Sequence, residues 1–160
     1  MSSQTHLRRR DFIKFSATVA AMLGFPGCLS LQQNPRRPRP IAKGAKIRIA
    51  QIGLAGKGFS DIMAQQDEDV VALCDIDWEG QPTYEKIDGK RIEQPSNVKK
   101  LMARFPQAKR YTDFRKMLLE MDDQIDAVGI ATPDHMHFLP AYMAIMLGKH
   151  VYVQKPLTQT

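Results

Sequence analysis

The chain has 160 residues, 43% hydrophobic and 25% charged, which is the composition of one globular domain and excludes a disordered or fibrous chain. The formal charge of +6 sits at one end: residues 1–28 carry +3 and residues 29–46 carry +5, leaving residues 47–160 at −2, which argues against a nucleic-acid surface on the domain. Two cysteines, Cys28 and Cys74, do not make a disulfide framework or a metal site.

In chain order, the first segment reads as a targeting signal. Arg9-Arg10-Asp11-Phe12-Ile13-Lys14 has the form of a twin-arginine export motif. The apolar stretch that follows, Phe15 to Phe25, is interrupted by Ser16, Thr18 and Gly24. It is shorter than the roughly 20 residues a membrane span needs. Residues 1–28 are therefore expected to be a twin-arginine signal peptide directing the protein to the periplasm or the outer side of the membrane. An amphipathic surface helix with a basic start is the alternative. Gly27-Cys28 has the outline of a lipid-anchor site, although Phe25 and Pro26 fit that site poorly. Residues 29–45 place Pro35, Pro38 and Pro40 between arginines, a composition that forms neither helix nor sheet and predicts an extended, solvated linker.

From Lys46 onward strands and helices alternate. Ile47–Ile52 is a short β-branched run ending at glycine, a strand. Phe59, Ile62, Met63 and Gln66 follow at helical spacing. Val70–Cys74 is a continuous apolar run, as expected of a parallel strand covered on both faces; Cys74 within it is a small core residue. Residues 78–96, polar and punctuated by Pro82, Gly89 and Pro95, are expected to form a long loop. Val98, Leu101, Met102 and Phe105 lie on one helix face, then Lys109–Tyr111 is a short strand, and Phe114, Met117, Leu118 and Met121 make another face. Ala127–Ala131 is the next strand. Leu139, Tyr142, Met143 and Met146 mark a third such helix face, read as core, with Gly148 in the C-cap position; His150–Gln154 is the last strand. This alternation means a parallel sheet with helices on both faces, because parallel strands need crossovers.

Three places carry chemistry. The first strand runs into Gly53-Leu54-Ala55-Gly56-Lys57-Gly58. A dinucleotide-binding turn needs a tight bend, close approach of backbone to pyrophosphate, and close helix packing. Gly53 and Gly58 serve the bend and the packing, while Ala55 and Gly56 keep the middle nearly bare. Asp75 ends the second strand 22 positions after Gly53, where a carboxylate accepts hydrogen bonds from a ribose 2′-OH. A cap for the turn is the other reading of Asp75, and Asp77 is a second candidate for the ribose. The fourth strand ends in Thr132-Pro133-Asp134-His135-Met136-His137, at the strand end where such sheets bind ligands. There Asp134 either caps the next helix, with the histidines on its first turn, or the segment faces a cofactor. His135 and His137 are two apart and share no helix face, which argues against a metal site. The last strand delivers Lys155-Pro156, where an ammonium either polarises a substrate oxygen or is a plain surface charge.

Together these residues resemble the Gfo/Idh/MocA oxidoreductase family over residues 46–160. The most specific parts are Ala131-Thr132-Pro133-Asp134-His135-Met136-His137 and Gly148-Lys149-His150-Val151-Tyr152-Val153-Gln154-Lys155-Pro156-Leu157. The family usually shows Glu-Lys-Pro where Gln154-Lys155-Pro156 stands here. The resemblance implies a doubly wound, Rossmann-type α/β domain over 46–160, incomplete at its C-terminus, with the family's second α/β substrate domain missing. It implies a site for NAD, with NADP as the other nicotinamide nucleotide. Lys155 is then an active-site residue, and Pro133 and His137 line the cofactor cleft with Thr132 and Asp134. The expected activity of the parent enzyme is oxidoreduction of a sugar or polyol CH–OH group, with this chain alone inactive. The alternatives are an NAD-dependent α-N-acetylgalactosaminidase of the same family, with a retained cofactor, and a non-catalytic nucleotide-binding module. Expected partners are the dinucleotide, the substrate, the twin-arginine export machinery and, in the parent, further copies of the chain. An exported dinucleotide enzyme would load its cofactor before export and keep it.

Overall fold

The computed structural model describes residues 34–157. The twin-arginine motif, the apolar stretch and Gly27-Cys28 lie outside the described residues. The chain divides into two units between Asn34 and Pro35, so the proline–arginine segment goes with the domain that follows it.

Among the described residues, seven strands and four α-helices follow in chain order: β1 (Arg48–Ile52), α1 (Lys57–Met63), β2 (Asp69–Cys74), β3 (Thr83–Ile87), β4 (Lys90–Gln94), α2 (Asn97–Arg104), β5 (Lys109–Tyr111), α3 (Phe114–Glu120), β6 (Ala127–Ile130), α4 (Phe138–Met146) and β7 (His150–Val153). Five strands form one sheet in the order β5-β2-β1-β6-β7, and every pairing in it is parallel. Strand order runs one way from β1 to β5 and the other way from β6 to β7. The reversal falls between β1 and β6, and in open α/β sheets ligands bind at the carboxyl ends of strands at such a point.

Two apolar layers cover the sheet. Ile49, Leu54, Ile62, Val70, Leu73, Val98, Leu101 and Phe105 make one. Ala50, Ile52, Cys74, Met117, Leu118, Met121, Val128, Ile130, Ala141 and Ala144 make the other. The helix faces read at 59–66, 98–105 and 114–121 thus point to the core: Ile62, Leu101, Met117 and Leu118 are buried, with Phe59, Met63, Met102 and Phe114 packed against them. Ser96 caps α2 by accepting the Lys99 N–H at 3.2 Å, and Asp113 caps α3 by accepting that of Arg115 at 2.9 Å.

Two expectations are corrected. Residues 78–96 are not one loop: β3 and β4 form an antiparallel hairpin with Ile87 opposite Lys90. Its two-residue turn is Asp88-Gly89, both at positive φ (50° and 74°), the combination primed hairpin turns require. The segment is polar because the hairpin is exposed on both faces, and Arg91 stacks 3.8 Å over the Tyr84 ring to supply one of its cross-strand contacts. The second correction concerns α4. Its core side is Pro140, Ala141 and Ala144, with Met143 and Leu147 beside them. Tyr142 is 52% exposed and Leu139 48%, so they are not core. Small residues let α4 lie close to β6 and β7, and Phe138 and Tyr142 stack on each other outside at 5.7 Å. The segment expected as a linker is described from residue 34 onward. Residues 34–41 form no helix or strand and are largely exposed, yet they are anchored. Arg36 N–H donates to Met146 C=O at 3.2 Å, and Arg36 and Arg39 pair with Asp122 and Asp126. Gly148 makes room, since a Cβ there would lie 2.9 Å from the Arg37 carbonyl.

Candidate functional site

The carboxyl ends of the strands are stitched together by backbone hydrogen bonds. Gly53 N–H donates to Cys74 C=O, Ala131 N–H to Ile52 C=O and Gln154 N–H to Ile130 C=O, each at 2.9 Å. The three segments singled out in the sequence therefore share one edge of the sheet.

The glycine turn leaves β1 at Gly53, φ 83°. A Cβ at Gly53 would lie 2.5 Å from the Ala131 carbonyl oxygen, and one at Gly58 would lie 2.0 Å from that of Gly53. Both glycines are dictated by close approach, Gly58 by packing of α1 on the turn. Gly56 is different: its φ of 50° calls for glycine, while nothing lies within 4 Å of its would-be Cβ, so the turn is open to solvent there. Beneath the turn, buried Gln51 donates from Nε2 to the Gly53 carbonyl at 3.1 Å, and Gly129 on β6 leaves space for its amide. The apolar reading of the first strand gave no sign of this support.

Asp75 serves the turn directly. One carboxylate oxygen accepts the Leu54 N–H at 2.7 Å and the other the Asp77 N–H at 3.0 Å. Asp75 is half-exposed and borders the cleft, while the backbone N–H groups it accepts from hold the loop. Asp77 instead accepts from Glu79 and Gly80 N–H and organises the next turn.

A cavity of about 370 Å³ opens at the ends of β1, β2 and β6. Gly53, Ala55, Asp75, Thr132 and Pro133 line it, with His135 and Met136 of the same 132–137 segment, and so do Ile76 and Phe114, which the sequence reading did not place in the site. Ile76 is 89% exposed at the mouth, an isolated apolar residue directly after the strand-end aspartate. That break in polarity was the available signal. Cys74 lies in the wall as an inert thiol, its pKa pushed up to about 12 by burial, with the Asp75 and Asp113 carboxylates adding to the shift. The Thr132 hydroxyl oxygen is buried with no hydrogen-bond partner among the described residues.

Asp134, His135 and Met136 form a single 3₁₀ turn in front of α4. Asp134 is exposed and caps nothing: neither that turn nor α4 has a side-chain cap. His137 is 1% exposed and does not line the cavity. Its Nδ1 lies 2.6 Å from the Pro156 carbonyl oxygen and its Nε2 2.7 Å from that of Thr132, so the ring sits between the segment after β7 and the end of β6, and as a neutral imidazole it donates to one of the two. Lys155, between that contact and the strand, is exposed. Gln154 turns the other way and donates to the buried Asp61 carboxylate of α1 at 2.6 Å, while Lys57 pairs with the same carboxylate. That hydrogen bond to Asp61 holds the Lys57 ammonium above the ordinary lysine range, against a smaller opposing effect of desolvation.

The family described as an oxidoreductase family with an NAD-binding Rossmann fold (GFO_IDH_MocA) matches residues 47–160. Among curated relatives, a glycosyl hydrolase family 109 protein of Stenotrophomonas maltophilia is 33% identical, over 89% of this chain and 28% of its own length. Another from Shewanella amazonensis is 27% identical, over 95% and 34%. The α-N-acetylgalactosaminidase of Shewanella oneidensis is 25% identical, over 97% and 35%. The chain thus spans about a third of the length of these relatives. Among solved structures, the WlbA (WbpB) dehydrogenase of Thermus thermophilus, in complex with NAD and UDP-GlcNAcA, superposes with a TM-score of 0.54 at 25% identity, over 70% of this chain and 34% of that one. The myo-inositol dehydrogenase of Lactobacillus casei, at 24% identity and TM-score 0.53 over 71% and 29%, shows the same fold.

Proposed function

The chain belongs to the oxidoreductase family with the NAD-binding Rossmann fold, and from that premise we propose that its cleft holds a nicotinamide dinucleotide for an enzyme acting on a sugar or polyol CH–OH group. The observation that carries this reading is the glycine turn at the switch point between β1 and β6, open above Gly56 and closed beneath by Gly53 and Gly58. The residues fit the group. The backbone N–H groups of Ala55, Gly56 and Lys57 would meet the pyrophosphate, since those of Gly53, Leu54 and Gly58 are taken inside the turn, and Asp75 would meet a ribose hydroxyl. The apolar wall of Ile76, Phe114, Pro133 and Met136 suits a flat base, and the unpartnered Thr132 hydroxyl gains a polar partner. When bound, the cofactor supplies hydride transfer. Lys155, exposed at the end of β7, would hold the substrate oxygen through its ammonium. Titration of the purified chain with NADH and NADPH, followed by nicotinamide fluorescence, tests the reading. Saturable binding with NADH preferred is expected, because the Asp75 carboxylate repels a 2′-phosphate. The absence of binding by either would sink it.

A second reading is favoured by the curated relatives named as family 109 glycosyl hydrolases and as an α-N-acetylgalactosaminidase. In it the same cofactor is oxidised and reduced within one turnover and a glycosidic bond is cleaved. Incubating the enzyme that carries this domain with an α-N-acetylgalactosaminide separates the two. Release of the aglycone without net NADH supports the hydrolase, and stoichiometric NADH with an oxidised sugar supports the dehydrogenase.

Export belongs to the same proposal. Arg9-Arg10 ahead of a short, weakly apolar stretch supports twin-arginine transport of the folded, cofactor-loaded protein to the periplasm. Changing both arginines to lysine should leave a reporter fusion in the cytoplasm; unchanged secretion would remove that reading.

A further inference from the structure

Lys155 stands at the exposed tip of β7, on a flexible four-carbon stem. Where its ammonium can reach depends on the backbone beneath it, and that backbone is held on both sides. After it, the Pro156 carbonyl lies 2.6 Å from His137 Nδ1. Before it, Gln154 Nε2 donates to Asp61 Oδ2 at 2.6 Å and lies 3.2 Å from the Tyr152 hydroxyl. Asp61 is 6% exposed and sits on α1, 93 positions earlier in the chain. A buried carboxylate needs donors on both oxygens. Lys57 serves Oδ1 and Gln154 serves Oδ2. A glutamate at 154 would set two carboxylates against each other, whereas an amide complements the acid already there.

We propose that Asp61 and Gln154 form a positioning pair that fixes Lys155 relative to the glycine turn, and so matches the two ends of the cleft to the two ends of one dinucleotide; this rests on the cofactor reading given above. Asp61 belongs to the helix that starts in the turn, where the pyrophosphate would lie. Gln154 is the residue next to Lys155, on the β6–β7 side of the switch point, where the nicotinamide would lie. Loosening the pair moves the lysine end and leaves the turn as it was, since Gly53, Gly58 and Asp75 hold the turn without it.

Calorimetric titration of the full chain with NADH and with ADP-ribose, which lacks the nicotinamide ring, tests this. Gln154→Met keeps the length and removes the donor. It should weaken NADH binding about three- to tenfold, the scale on which residues that touch no ligand shift its affinity, and leave ADP-ribose within about twofold. Gln154→Asn, one methylene too short to reach Asp61, should show the same split and stays polar should the methionine variant fold poorly. The exchange Asp61→Asn with Gln154→Glu restores a donor–acceptor pair and should restore the ratio of the two affinities. Equal losses for both ligands, no loss for either, or an exchange that leaves the ratio low would overturn the positioning role. A wild-type chain that binds neither ligand would overturn the cofactor reading itself, and the pair's role with it.

Discussion

Single residues in the turn divide by what they would strike. A methyl group at Gly58 meets the Gly53 carbonyl at 2.0 Å, a backbone atom that cannot step aside, whereas one at Gly56 meets nothing and pays only for its positive φ. Gly56→Ala should therefore cost about 1–3 kcal/mol, the strain of a side chain at φ 50°, ψ −117°, a conformation that favours glycine. Gly58→Ala should cost more and should abolish dinucleotide binding in the fraction that still folds, because α1 can no longer close on the turn. Urea denaturation and NADH titration of the two variants check this; equal effects would mean that the turn relaxes freely around a side chain. The sequence pattern assigned Gly58 to helix packing and Gly56 to the bare middle of the turn; the structure adds the atom each would strike, the Gly53 carbonyl for Gly58 and none for Gly56.

At the scale of elements, α4 reverses what its periodicity implies. Ala144 is fully buried and Tyr142 is 52% exposed. Ala144→Leu should destabilise by about 1–3 kcal/mol through overpacking, and Tyr142→Ser should leave the melting temperature nearly unchanged. The reverse order would restore the large residues to the core. Helix α3 offers a test in pH. Its cap, Asp113, is held down to about 2, first by the hydrogen bond from the Arg115 side chain and then by that from the Arg115 backbone. A carboxyl with a lowered pKa in the folded state stabilises above its unfolded value and loses that contribution as pH falls through the folded one. The stability difference between the native chain and Asp113→Ala should be full at pH 5 and shrink toward zero as pH approaches 2. A difference independent of pH would assign the cap to shape rather than charge.

For the whole molecule, the proline–arginine segment is part of the domain's far end, away from the cleft. Asp126 precedes β6, its side chain is 5% exposed, and it accepts from Arg48 Nε and Nη2 at 3.0 Å while Arg39 pairs with it from the segment. Arg39→Ala leaves that buried carboxylate with one guanidinium instead of two and should lower the urea midpoint by the equivalent of about 1–2 kcal/mol. Arg36, 63% exposed against Asp122, should matter far less, as exposed pairs do. Equal effects would mean that the segment is held by its backbone alone.

Chain order and hydrophobic spacing by themselves determined the alternation of strands and helices, the parallel sheet, and the three loops that meet at its edge, because a parallel sheet leaves no other course for such a chain. They also determined the residue types of the turn, since Gly53 and Gly58 can be nothing larger. The tertiary structure decided which atoms those loops present. His137 reads as a cleft residue from its motif, yet two carbonyl oxygens from separate strand ends flank its two nitrogens. Asp75 reads as a ribose ligand, yet it also caps the turn it follows. Gln154 reads as a departure from the usual glutamate, and only its meeting with Asp61 explains the amide. In each case the deciding partner is remote in sequence or is a backbone atom, and neither leaves a trace in local spacing.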